Sequence, residues 1–306
     1  MTSTAFGATK TATVNGTTLA YREEGEGEPV VFVHGGLSDL RTWEQQLPVV
    51  GRSYRTITYS RRYARPNEGI EPGAEDPWLA HVDDLAAFVR EIDAAPAHLV
   101  GNSQGAFISL LTAVRHPDLV RSLVLEEPPV VPLFVKSVPP GALDLLRLLA
   151  TRPRTAIEII RFGVKAIAPM GKALQRGQDD EAMRIFCHFV LGKEPFERLP
   201  EARKDQMREN ASTLRAFALG TAGFPPLGDA DVRSIHVPVL LVTGALSPTL
   251  AHLWTDRLEE LLPIVERINI PEASHLMHEE NASAVNEAIV GFLGRHRDRP
   301  MSPPSP

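Results

Sequence analysis

The 306-residue sequence holds one cysteine, Cys187, so no intrachain disulfide can form and a reducing, cytoplasmic setting is the expectation. Cys187 falls in an apolar helical pattern with Ile185, Phe186, Phe189 and Val190, which reads as a packed core thiol. No apolar run approaches the ~20 residues of a membrane span, and residues 1–10 have neither a basic nor an apolar leader segment, so no membrane partner is expected. Excess basic charge is missing too. Lys and Arg number 32 against 38 Asp and Glu, the net charge is -6, and the basic residues are scattered, which argues against nucleic acid as a partner. No Cys/His cluster has metal-ligand spacing; His275 and His278 alone are poor grounds for zinc, so no metal or cofactor is expected, and His278 is read as surface at a helix start. Gly25-Glu26-Gly27 precedes a strand where a dinucleotide fingerprint must follow one, and its third glycine is missing, which excludes a Rossmann site. No long linker divides the chain. One main domain with an insertion follows, and proline-rich residues 298–306 read as a disordered tail.

What the sequence does hold is Gly101-Asn102-Ser103-Gln104-Gly105, set between a buried-strand run at 97–101 and an apolar helix containing Ala106, Ile108, Leu110, Leu111 and Val114. A bare Gly-x-Ser-x-Gly arises by chance in about one chain in ten to twenty of this length, so the flanking pattern carries the reading. It is that of a nucleophile elbow, a tight strand-to-helix turn presenting Ser103 as a candidate nucleophile. A second glycine motif, His34-Gly35-Gly36, ends the apolar run 29–33. Backbone N–H groups of Gly36 and Gln104, with Leu37 as substitute if the loop is offset by one, are the candidate oxyanion donors.

Around these motifs strands and helices alternate. An opening hairpin spans 9–14 and 17–24 about Asn15-Gly16, and strands at 54–59, 119–125, 237–243 and 264–270 are separated by helical patterns at 77–93, 251–262 and 282–293. This predicts an α/β fold with a doubly wound, mostly parallel sheet, residues 1–129 and 228–297 forming its core. Between 130 and 227 the strand signal vanishes; helical runs at 143–149, 156–167, 182–191 and 202–219 predict an α-helical cap insertion. Some of its aromatics, among Phe162, Phe186, Phe189 and Phe217, are candidates to face a pocket beneath it. The arginines of Ser60–Asn67 read mostly as solvated surface, with one a candidate for holding a substrate carboxylate.

His34-Gly35-Gly36, the Ser103 elbow and His275 after the final strand stand in an order that resembles the α/β-hydrolase superfamily over nearly the whole chain. That resemblance implies Ser103 as nucleophile and His275 as general base. The usual Gly-x-x-Asp acid is absent, because this sequence has Gly244-Ala245-Leu246-Ser247. Glu126-Glu127-Pro128-Pro129, after the strand following the elbow helix, is similar to the arrangement in lactonases that open resorcylic macrolides and in certain haloalkane dehalogenases. Adjacent strand residues face opposite ways, so only one glutamate can address His275. Glu127 is taken over Glu126 because it lies one step further beyond the strand; Asp256 is a distant third. The resemblance implies a carboxylic ester or lactone hydrolase acting on a small molecule through an acyl-enzyme. A carbon–carbon bond hydrolase of a diketone and a non-catalytic small-molecule binding protein are the alternatives it leaves open.

Overall fold

The computed structural model describes residues 8–71 and 73–297. The expectation for the tail at 298–306 lies outside the described residues, as do residues 1–7 of the first ten.

Among the described residues one eight-stranded sheet has the order β1-β2-β4-β3-β5-β6-β7-β8. The hairpin β1 (Lys10–Val14) and β2 (Thr17–Glu24) pairs antiparallel and passes antiparallel to β4 (Arg55–Tyr59). From there every pairing is parallel, through β3 (Pro29–Val33), β5 (Ala97–Asn102), β6 (Val120–Glu126), β7 (Val239–Gly244) and β8 (Val265–Ile270). The central strands are uninterrupted apolar runs because both faces are covered. In β3, Val31 and Val33 face one core cluster while Val30 and Phe32 face another, the period-two alternation of a strand. The first cluster is closed by α2 (Trp78–Glu91), α3 (Gln104–Arg115) and α12 (Thr249–Leu261); the second by α1 (Leu47–Val50) and α14 (Ala282–Arg295).

Between β6 and β7 lie the short α11 (Asp229–Arg233) and, before it, the helices α4 (Ala142–Thr151), α5 (Pro153–Phe162), α6 (Ala168–Gln175), α7 (Asp179–Val190), α8 (Lys193–Arg198), α9 (Glu201–Glu209) and α10 (Ser212–Leu219). A widened π turn at Gly163–Ile167 joins α5 to α6. The predicted run 202–219 is two helices. The break falls at Asn210, whose side-chain Nδ2 donates to Asp39 Oδ2 at 2.8 Å. Helices α6 to α10 share a core of their own, including Met170, Met183, Cys187 and Met207, and that core takes in Leu37 and Leu276 from the sheet domain. Burial pushes the Cys187 thiol up to about 12, consistent with a packing role.

Candidate active site

Register brings the motifs together. Gly101 of β5 is level with Val33 of β3, Asn102 with Glu126 of β6, Glu126 with Val242 of β7, and Gly244 with Ile270 of β8. The segments that follow these positions leave the sheet side by side at its carboxyl edge, where open α/β sheets place their sites.

The elbow is tight. An added Cβ at Gly105 would overlap the Val33 carbonyl, and one at Gly101 would lie 2.6 Å from the Ala106 nitrogen. Ser103 has φ +50°, a conformation costly for a residue with a side chain, and is held by its N–H donating to the Glu126 carbonyl at 2.7 Å. Leu37 and Glu127 also adopt positive φ, +54° and +48°. Such strain persists only where the surroundings fix it, and here three instances fall at one strand edge.

Glu127 is fully buried, and its Oε2 meets His275 Nδ1 at 2.5 Å while its Oε1 accepts the Gly244 N–H at 2.9 Å. Ser247, where the family pattern has its acid, has a buried hydroxyl without a hydrogen-bond partner among the described residues. Asp256 is turned away, paired with Arg267 at 2.7 Å. Glu126 faces a different histidine. Its Oε2 lies 2.8 Å from His278 Nδ1 and accepts from Asn102 Nδ2 at 3.2 Å, and that same amide donates to the His275 carbonyl at 3.0 Å.

His278 is therefore not surface. It is 1% exposed, its ring tilted against Trp43 with centroids 4.3 Å apart, and it lies within 3.0 Å of Thr42 Oγ1. The short helix α13 (Met277–Glu280) packs inward, and its start is covered by the loop after β3. Burial opposes a charge on His278, but the Glu126 carboxylate outweighs it and, with Glu279, pushes the imidazole up to about 9.

Arg61 corrects the reading of its loop as mainly solvated. It is buried, and its guanidinium donates to the carbonyls of His34 and Gly35, both at 3.0 Å, and to Gln104 Oε1 at 2.9 Å. A planar fork of donors satisfies carbonyls that would otherwise be buried unpaired, and it clamps the glycine loop to the elbow. Burial and the Arg61 charge hold the His34 imidazole well below its ordinary value; neutral His34 donates from Nδ1 to Gly35 O at 2.8 Å and accepts the Arg61 N–H at 2.9 Å. Arg62 is paired with Asp84, and the backbone N–H of exposed Arg65 donates to Asn210 Oδ1.

Gly36, Leu37, Ser103, Gln104 and His275 all border one cavity of about 130 Å³. The rest of its wall is largely apolar and includes Trp78, Phe162, Phe186, Phe217, Phe224 and Trp254. Phe189 instead packs against Phe162, the two rings tilted with centroids 4.9 Å apart. Arg203, from α9, enters the wall with its charge already taken up by Glu279 at 2.9 and 3.0 Å. Sequence reading passed over this residue, although polar Arg203, Gln206 and Asn210 recur at i, i+3 and i+7, the spacing of one helix face.

A serine on a strained strand-to-helix turn, a histidine after the last strand and a buried carboxylate behind it, on a doubly wound sheet with a helical insertion, define an α/β hydrolase. The chain belongs to the Alpha/beta hydrolase family, whose pattern matches residues 30–288. Over 286 residues it is 40% identical to a Mycobacterium tuberculosis protein provisionally named non-heme bromoperoxidase BpoC, covering 90% of this chain and 97% of that one. It is 26% identical over 278 residues to the 2-(acetamidomethylene)succinate hydrolase of Mesorhizobium japonicum, covering 90% and 91%. Among solved structures, a thermophilic esterase from Thermogutta terrifontis superposes with a TM-score of 0.71 at 19% identity, covering 95% of this chain and 99% of that one, a likeness of fold.

Proposed function

We propose that this protein is a serine hydrolase cleaving a carboxylic ester or lactone with an uncharged, apolar acyl part, and that the helical segment 130–227 is its cap. The observation that carries the reading is the 2.5 Å contact between Glu127 and His275 beside the cavity that Ser103 borders. Glu127 fixes the ring through Nδ1, which leaves Nε2 to take the Ser103 proton as Oγ attacks the carbonyl carbon. Backbone N–H groups of Gly36 and Gln104 receive the oxyanion; Gln104 opens α3, where first-turn amides have no partner within the helix. His275 returns the proton to the leaving alkoxide, and water activated at the same ring then releases the acid. No cofactor enters these steps.

The wall sets the substrate class. Ion-paired Arg203 offers no free cation for a carboxylate, and a largely apolar cavity of about 130 Å³ suits a group of roughly benzene size. Intact-mass analysis after a small phosphonate, with an acyl-ester series assayed alongside, tests this. Labelling of wild type but not of Ser103→Ala, with turnover best for acyl groups of about four to six carbons, is expected. Turnover confined to enolisable diketones would replace the reading with carbon–carbon hydrolysis. No label and no turnover in folded protein would leave a binding protein.

A further inference from the structure

We propose that the outer face of α4 and α5 docks on an anionic lipid surface. The two helices pack against each other and turn Leu148, Ala156 and Ile159 into the main core, while their other face carries large apolar side chains into solvent. Leu143 is 82% exposed, Leu146 63%, Ile157 57% and Val164, in the following π turn, 66%. Apolar side chains scattered singly over a surface need no explanation, but a group of this size on two adjoining helices does.

Charge identifies the occupant. Residues 136–176 hold eight basic residues against two acidic ones, a local net charge of +6 in a chain whose total is -6. The run stops where α7 begins with Asp179, Asp180 and Glu181. Two of the cations are paired, Arg152 with Glu260 and Arg161 with Glu158. Lys136, Arg147, Arg154, Lys165, Lys172 and Arg176 stand exposed. Helical spacing interleaves the two kinds of residue. Leu143, Leu146 and Arg147 share one face of α4, while Arg154, Ile157 and Arg161 share one face of α5. Apolar side chains that enter the acyl boundary beside cations that meet the headgroups are the composition of an interfacial helix, and anionic lipid supplies the complementary charge. A second copy of the chain does not complement this face, because two-fold pairing would set its cations against themselves.

Surface docking needs no spanning segment, so it is compatible with the absence, among the described residues, of any helix long and apolar enough to cross a membrane. It does depart from the expectation of no membrane partner, which rested on spanning runs and on charge averaged over the whole chain. The docked face backs onto the cavity: Phe162, the last residue of α5, lines it. None of the exposed side chains named for docking does.

Co-sedimentation of the full chain with phosphatidylcholine vesicles, with and without phosphatidylglycerol, tests the proposal independently of any hydrolysis. Wild type is expected to bind the phosphatidylglycerol vesicles in a salt-sensitive manner. Arg147→Glu/Arg154→Glu/Lys165→Glu is expected to weaken binding by at least about fivefold per residue, and Leu143→Ser/Ile157→Ser/Val164→Ser to abolish it. Thermal melting and phosphonate labelling checked on both variants should match wild type, since every altered side chain is exposed. Absence of binding to the anionic vesicles overturns the proposal, as does binding that charge reversal leaves intact. A concentration-dependent dimer dissolved by the serine substitutions, without vesicle binding, overturns it in favour of a second copy.

Discussion

Glu126 and Glu127 are neighbours in sequence that serve different histidines, because the chain leaves β6 between them. Glu126 ends the strand in extended geometry and points to His278, whereas Glu127, at φ +48°, swings its carboxylate to His275 and to the Gly244 amide. The alternation of strand side chains gives the reason that one residue cannot do both. Glu127→Gln keeps the volume but cannot stabilise an imidazolium, so kcat is expected to fall on the order of 10³–10⁴-fold with KM little changed. Ser247→Ala and Asp256→Asn should stay near wild type. A steady-state comparison of the three variants on one ester is the measurement, and an inactive Ser247→Ala beside an active Glu127→Gln would reverse the assignment of the acid.

At the scale of elements, α9 joins the insertion to the loop that follows β3. Arg203 reaches Glu279 and the Leu37 carbonyl, and Gln206 Nε2 and Asn210 Nδ2 each donate to buried Asp39 at 2.8 Å. Asp39 also caps the 3₁₀ turn Leu40–Trp43 through the Arg41 N–H. Removing this acceptor leaves the buried Gln206 amide without its partner, at a cost of about 1–3 kcal/mol, and reduces Asn210 Nδ2 to its bond with the Gln206 carbonyl. Asp39→Ala is therefore expected to speed hydrogen exchange across 201–219 and in the 35–43 loop while β3, β5 and β6 keep their protection. Exchange mass spectrometry resolves the two regions; uniform acceleration over the sheet would show that Asp39 supports the whole fold and not this junction. The helix itself is readable from sequence, but its break at Asn210 is not. At that break the Asn210 side chain meets Asp39, 171 positions away in sequence.

For the whole molecule, the buried polar network around His278 sets a pH window of stability. His278 is raised to about 9 from its ordinary 6.5, so its pairing with Glu126 contributes fully below 6.5 and is lost as pH rises through about 9. Burial disfavours the Glu279 carboxylate, but Arg203 and then His278 draw it down to about 2 from 4.5, so its contribution is present above 4.5 and is lost as pH falls through about 2. Melting temperature is expected to be highest between these limits, and Glu126→Gln to flatten the alkaline side; an unchanged alkaline fall would place its origin elsewhere. Most of the architecture was readable without coordinates. Strand runs, helical periodicity and the glycines of the elbow are local signals, because burial on both faces, amphipathic packing and a tight turn each constrain residues close together in the chain. Local pattern thereby determined the doubly wound sheet, the helical insertion, and the positions of Ser103, His275 and the pair of glutamates. Tertiary structure alone decided which glutamate meets His275, that His278 is buried and Arg61 turned inward, and that Arg203 arrives at the cavity already neutralised. Each of these rests on a hydrogen bond or ion pair between segments far apart in sequence, and a polar side chain carries no local mark of the partner that will bury it.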